Sequence, residues 1–376
     1  MFETILIQLG AFSVNVSISI AQLFLGLLII FSAVKLYKTR DFSQLTTLHA
    51  KFFMLMVVAE LTAAFAGIDP KRSVGEVAST WTYLYLFTIL ILLDGNNLNR
   101  VLYAFFFGSI LNAISGIYDI YVTGIERAIG YYTHALTYGN AAAVVFICGL
   151  GLLIFVRHQP KKLYLLTISA TVLAAYALFL SGSRGPMLSA IVTTAIICIY
   201  QYKMKAVVAV SALVFIVAGV IYFSQPLQDK LFTDRGGPVG TSSSVGTRIV
   251  LWKTALKGIS ERPVFGFGKG SFTEYAKKNI KVPVLSTAHA HNSYLHYAFS
   301  NGLVGLALLF GFIISLFRYM YLRSKEYPPA KAAIFIFIAF LLEGLTENNF
   351  GDSEVVMLTT LLLAALTAPA RHYKNL

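Results

Sequence analysis

The chain has 376 residues, of which 57% are hydrophobic and only 12% charged, and its formal net charge is +13. So little charge excludes a soluble globular domain, in which charged residues make up about 25%, and a soluble core of this size would lack polar surface to cover it. The positive balance is accounted for by Lys and Arg holding loops on the cytoplasmic side of a membrane; no basic recognition helix points to nucleic acid.

The apolar residues fall in stretches of roughly 17–22, the length that crosses about 30 Å of hydrocarbon. They predict an all-α, polytopic membrane protein of about twelve transmembrane helices. Met1–Glu3 lacks the basic stretch of a signal peptide, so the first element, Thr4–Phe12, is expected to be retained. Spans are predicted at Val16–Leu36, His49–Gly67, Val77–Leu93, Arg100–Tyr118, Asn140–Val156, Leu163–Leu180, Pro186–Tyr202 and Ala206–Phe223. After a long loop come Gly302–Leu322, Ala330–Thr346 and Glu354–Ala368. The chain thus divides into an N-terminal bundle (1–223), a loop region (224–293) and a C-terminal bundle (294–376). Cys148 and Cys198 lie in different spans and read as small buried hydrophobes rather than a disulfide or metal pair.

Orientation follows from the basic residues. One set of alternate short connections, from Lys35 to Lys374, holds sixteen Lys and Arg, whereas the opposite set holds Lys71, Arg72, Arg127 and Arg184. That bias places the richer set and both termini in the cytoplasm. The long loop Ser224–Ser293 then lies outside, and its ten Lys and Arg against four acids suit an anionic ligand at the bilayer surface. Within it, Thr247–Ile259 has the apolar spacing of a short amphipathic helix, broken over Ser260–Gly270 by Pro263 and glycines.

Three features bear on chemistry. The turn SGSRG at 181–185 precedes Pro186, a good first helical residue, and sets Arg184 at the outer membrane edge. Such an arginine serves either as an ordinary interfacial cation or as a planar phosphate ligand. Arg248 and Trp252 share one face of the loop helix, where they present either a solvated cation or a phosphate site with an aromatic wall. His289, Ala290, His291, Asn292, Ser293 and Tyr294 stand where the chain re-enters the membrane, with Asn292 or Ser293 as a helix N-cap. A histidine beside a helix N-terminus suits a general base. A zinc site would need a third ligand that no nearby Cys or HExxH supplies.

Of the glycine-rich stretches, 266–270 lacks Walker spacing and reads as a tight turn, and Asn301–Gly302 with Gly305 reads as a helix break or a close helix contact. Glu60 and Glu343 fall inside apolar spans and Glu347 near the end of one. Their expected role is pairing with a cation or a neighbouring polar group, with Glu343 or Glu347 available to orient Arg184.

Taken in order, SGSRG, Arg248-x-x-x-Trp252, Pro263–Gly268 and His289–Leu295 resemble the O-antigen ligase and polymerase superfamily, and most an O-antigen ligase, chiefly over residues 180–305. The resemblance implies a helical glycosyltransferase of the C-like class in the bacterial inner membrane, with its active site facing the periplasm. Its donor would be an undecaprenyl-diphosphate-linked glycan and its acceptor a sugar hydroxyl of lipid A–core. Arg184 and Arg248 would bind the diphosphate and His291 would assist the acceptor. Trp252, His289 and Asn292 would line the substrate site, and either histidine of the pair matches the family's position. Inversion is implied, and no metal or cofactor, in keeping with outer loops that lack paired carboxylates for Mg²⁺. A polymerase or protein O-oligosaccharyltransferase would use the same residues on another acceptor; a transporter would use Glu60 and Glu343 as coupling acids.

Overall fold

The computed structural model describes residues 2–205, 207 and 243–368. The predicted span Ala206–Phe223, apart from Val207, and the charged residues Asp229, Lys230, Asp234, Arg235, Arg371 and Lys374, lie outside the described residues.

Every regular element among them is helical. In chain order they are α1 (Phe2–Ser13), α2 (Ile18–Thr39), α3 (Leu48–Ala66), α4 (Pro70–Val77), α5 (Leu84–Leu92), α6 (Leu98–Tyr121), α7 (Ala135–Phe155), α8 (Lys161–Ser181) and α9 (Arg184–Tyr202). There follow α10 (Ser244–Glu261), α11 (Phe272–Asn279), α12 (Ser293–Ser324), α13 (Pro329–Glu343) and α14 (Ser353–Thr367). Eight helical stretches among the described residues are long and apolar enough to cross a membrane, and α1 and α14 are shorter apolar helices. The chain is a polytopic membrane protein.

The core is built around α14, which is buried from Glu354 to Thr367 and packs on α5, α7 and α13. Burial on all sides explains why its sequence is apolar all round rather than striped. Close packing elsewhere uses small residues: Gly149 of α7 sits against Thr171 of α8, and Gly151 against Ala332 of α13. In a membrane such residues let helices approach until dispersion holds them. Cys148 and Cys198 are both free.

The elements differ from the sequence expectation in three places. The fourth helical stretch starts at Pro70 rather than Val77, because Asp69 accepts from Arg72 N at 3.0 Å and Pro70 occupies the first helical position. Both are start signals independent of hydropathy. The region after the amphipathic helix contains α11, whose Phe272, Tyr275 and Ala276 join Leu251, Ala255, Phe267 and Phe299 in a small separate core. Third, the helix expected to start after Asn292 or Ser293 and the span predicted from Gly302 form one element, α12, which starts at Ser293 and has the expected break at Gly302, at φ 66° and ψ −175°.

That break is filled by the stretch 263–268. Leu303 N donates to the Pro263 carbonyl at 2.7 Å, while Phe267 N and Gly268 N donate to the Phe299 and Ser300 carbonyls at 3.0 and 2.9 Å. A side chain at Gly302 would overlap the Val264 carbonyl, so only glycine is accommodated. A broken helix in a membrane needs its freed backbone groups satisfied by protein, and this stretch supplies the partners.

Candidate active site

The loops at one end of the bundle converge on the segment between α13 and α14, residues 344–352. Gly185, next to Arg184, lies against Thr346. Ser293 N donates to the Gly344 carbonyl at 2.7 Å, and Asn292 Nδ2 to the Leu345 carbonyl at 3.0 Å. Helix α10 brings Arg248, whose Nε donates to the Thr346 carbonyl at 3.3 Å.

The centre of this convergence is Glu347, whose side chain is 2% exposed. Its Oε1 is ion-paired with Arg248 Nη2, and its Oε2 lies 2.8 Å from His291 Nδ1. One carboxylate therefore holds a guanidinium with one oxygen and an imidazole with the other. Burial alone raises a carboxyl, but the hydrogen bond and charge of His291 and then the charge and hydrogen bond of Arg248 outweigh it, and Glu347 is held below its ordinary value.

Each partner is fixed in turn. Arg248 Nη1 donates to Ser244 Oγ at 2.7 Å, so three of its five N–H groups are placed by protein and two point elsewhere. Ser244 opens α10, which Ser243 caps by accepting from Gly246 N at 3.0 Å. The His291 backbone is left-handed, at φ 47°, a conformation rare for a residue with a side chain and concentrated at functional sites. It is pinned from both sides: His291 N donates to His289 Nδ1 at 3.2 Å, and Trp252 Nε1 donates to the His291 carbonyl at 3.4 Å. Asn292 caps α12, accepting from Leu295 N at 2.9 Å, which places His291 just before the helix. The carboxylate at Nδ1 favours the tautomer in which that nitrogen donates and the second ring nitrogen is the basic one.

The structure thus brings Arg248, Trp252, His289, His291 and Asn292 together, and sets Arg184 at the start of α9, next to Gly185, which lies against Thr346. Trp252 is engaged through its ring nitrogen as a brace for the His291 backbone. Two residues given a lesser part in the sequence reading belong to this site. Glu347 is the hub, not only an orienter of Arg184. Arg127 holds the SGSRG turn, its Nε donating to the Ser181 carbonyl at 2.7 Å and its Nη2 to Ser183 Oγ at 2.8 Å. Neither pairing has a local signal, because they join positions 99 and 54–56 residues apart.

A cavity of about 570 Å³ opens beside this centre, lined by Arg127, His134, Thr137, His289, Glu347 and Asp352 among others. Among the described residues no group of three or more His, Cys, Asp or Glu is disposed to hold a metal ion. His289 is pushed down to about 4, first by burial and then by the charges of His291 and Arg248, against the attraction of Glu347.

This predicts a pH effect. A histidine neutral when folded but ordinary when unfolded, at 6.5, lets the unfolded chain bind the extra proton between those values. Its contribution is therefore complete above pH 6.5 and is lost as pH falls towards 4, by about 3 kcal/mol at most, since one unit is about 1.4 kcal/mol. Inactivation temperature should fall over this window, and the fall should be shallower in His289→Asn; an unchanged slope would refute the burial argument.

Fold and site define a polytopic helical membrane protein with an Arg–Glu–His centre at one end of its bundle. Residues 169–310 match the family model described as O-antigen ligase. An O-antigen ligase of Salmonella typhimurium is 26% identical over 230 residues, covering 55% of this chain and 54% of that protein. An uncharacterized protein of Haemophilus influenzae is 24% identical over 266 residues, covering 65% of this chain and 66% of that protein. The match thus spans between about half and just under two thirds of these relatives' own lengths. The matched segment contains SGSRG, Arg248, both histidines and the α12 break, and ends before Glu347.

Proposed function

We propose that the protein is an O-antigen ligase, which transfers a glycan from undecaprenyl diphosphate to a sugar hydroxyl of lipid A–core at the periplasmic face of the bacterial inner membrane. The observation that carries this reading is the shared carboxylate: Glu347 sets the Arg248 guanidinium and the His291 imidazole side by side, beside a cavity sized for glycan. The family match and the basic-residue bias support it, the latter favouring periplasmic placement of this end of the bundle and cytoplasmic termini.

In the reaction, the basic nitrogen of His291 accepts the proton of the acceptor hydroxyl as its oxygen bonds to the anomeric carbon. The bond from that carbon to the diphosphate breaks, and the electron pair leaves on the phosphate oxygen. Attack opposite to the leaving group inverts the anomeric centre. Glu347 stabilises the imidazolium as it forms and holds the ring in the productive tautomer, the part a carboxylate plays in hydrolase triads. Arg248 and Arg184 take up the developing diphosphate charge. A diphosphate is a good leaving group that needs charge stabilisation more than a strong acid, so the reaction needs no metal.

Purified protein offered a lipid-linked glycan should extend lipid A–core and keep its rate in chelator. Extension of a second donor lipid instead would make it a polymerase, and activity lost to chelator and restored only by a divalent cation would refute the metal-free step. Arg184→Ala and His291→Ala should each abolish transfer while the protein still inserts; normal rates in both would defeat the assignment.

A further inference from the structure

A second polar cavity, of about 120 Å³, is lined in part by Asn348, Phe350 and Gly351 of the 344–352 segment. A buried water needs roughly 10–15 Å³ by the same measure, so the space holds far more than one. Its rim is the exposed pair Glu76 and Ser79, at the same end of the bundle as the centre, and its floor is buried. Asn348 and Gly351 line both this cavity and the 570 Å³ cavity beside the centre. Ser293, two residues from His291, is also in its wall, and its hydroxyl donates to the Glu347 carbonyl at 2.9 Å.

One charge pair is neutralised inside the cavity. Glu60, 1% exposed, pairs with Lys269 at 2.8 Å and accepts from Thr80 Oγ1 at 2.7 Å and Tyr297 OH at 3.0 Å. With Glu60 paired in this way the buried floor carries no surplus charge, and the exposed Glu76 at the rim is the one acid left in the lining. What remains unmet is neutral. Both side-chain atoms of Asn301, Ser300 Oγ and His296 Nδ1 have no hydrogen-bond partner among the described residues, and Ser300 and Asn301 are each 1% exposed. Buried polar atoms are nearly always satisfied, and these unmet ones all belong to residues that line the cavity. These groups include a donor amide, an acceptor carbonyl and a hydroxyl that does either. Met56, Tyr83, Leu309 and Phe350 add apolar wall. Closely spaced donors and acceptors beside aromatic carbon match a ring bearing several hydroxyls on an apolar face.

We propose that this cavity binds a single sugar ring of one of the two glycan substrates and thereby sets which residue of that chain reaches His291. The identity of the ligand as a reaction partner rests on the transfer reading above; the cavity's affinity for sugar does not. The break at Gly302 contributes to the site: it ends the first part of α12 directly after Ser300 and Asn301, both of which line the cavity.

The test is direct binding to detergent-purified full-length protein, by ligand-detected NMR, of two probes: core oligosaccharide cleaved from lipid A, and glycan cleaved from the lipid-linked donor. One probe should bind the wild type and Arg248→Ala alike, and its affinity should fall at least tenfold in Asn301→Leu; which probe does so names the substrate held there. Ser300→Ala, the loss of one oxygen, should weaken the same probe severalfold and serves if Asn301→Leu fails to insert. Binding of neither probe, or equal affinity in the cavity variants and wild type, overturns the proposal. Transfer surviving in Arg248→Ala would sink the reaction assignment and leave the cavity result standing.

Discussion

Arg248→Ala is expected to lower glycan transfer by about 10²–10³-fold, the loss seen when one preorganised donor to a developing anion is removed. The guanidinium is 25% exposed at its side chain, held on three sides by Ser244, Thr346 and Glu347, with two N–H groups left for a ligand. Its orientation is therefore set before substrate arrives, and no reorganisation is needed as charge builds on the diphosphate. Arg248→Lys should rescue little. An ammonium keeps the charge but cannot keep the fork that grips Glu347 and a ligand together. The loss should appear in kcat more than in the KM for the acceptor, because the charge develops only as the bond breaks. Initial rates at saturating acceptor decide the matter, and a variant within threefold of wild type would remove Arg248 from the reaction.

Glu347→Gln is expected to cost more, about 10³–10⁴-fold, with donor KM changed far less than kcat. The magnitude follows that for the carboxylate of a hydrolase triad replaced by its amide. An amide must turn its NH2 towards either Arg248, setting donor against donor, or His291 Nδ1, forcing that nitrogen to accept and moving the ring proton to the nitrogen that should be basic. Glu347 touches no reacting atom in this scheme; it is a positioning residue. A shortened carboxylate, Glu347→Asp, should therefore recover part of the rate, which a purely structural role would not require. Glu347→Gln with wild-type kcat would show that the Arg–Glu–His arrangement has no catalytic consequence.

How much of this could be read from residues alone varies with the range of the interaction. The spans were legible because membrane helices must be apolar over a fixed length, and the observed α6 and α8 differ from expectation by three residues or fewer at each end. The SGSRG turn was legible because Gly182 caps α8 at φ 57° and Pro186 follows in the first turn of α9. Arg248, His291 and Asn292 were reachable through local helix signals. Glu347 was not, because its partners come from α10 and from the start of α12, and only the folded chain joins them. The acid in Glu60 was expected to find a cation, but nothing in a glycine-rich turn marks Lys269 as that cation. The break at Asn301–Gly302 was visible as a backbone feature, whereas the unmet polar atoms of Ser300 and Asn301 beside it were not. Helix α11 was missed because eight residues carry only Phe272, Tyr275 and Ala276 as apolar signal.

The central claim is that this centre breaks the bond between a sugar and a polyprenyl diphosphate, and the product lipid reports on it directly. Incubating purified protein with lipid-linked glycan and lipid A–core, one undecaprenyl diphosphate should be released for each glycan transferred, with neither released nor transferred by His291→Ala. Release of undecaprenyl monophosphate, or glycan transfer undiminished without the imidazole, would contradict the account.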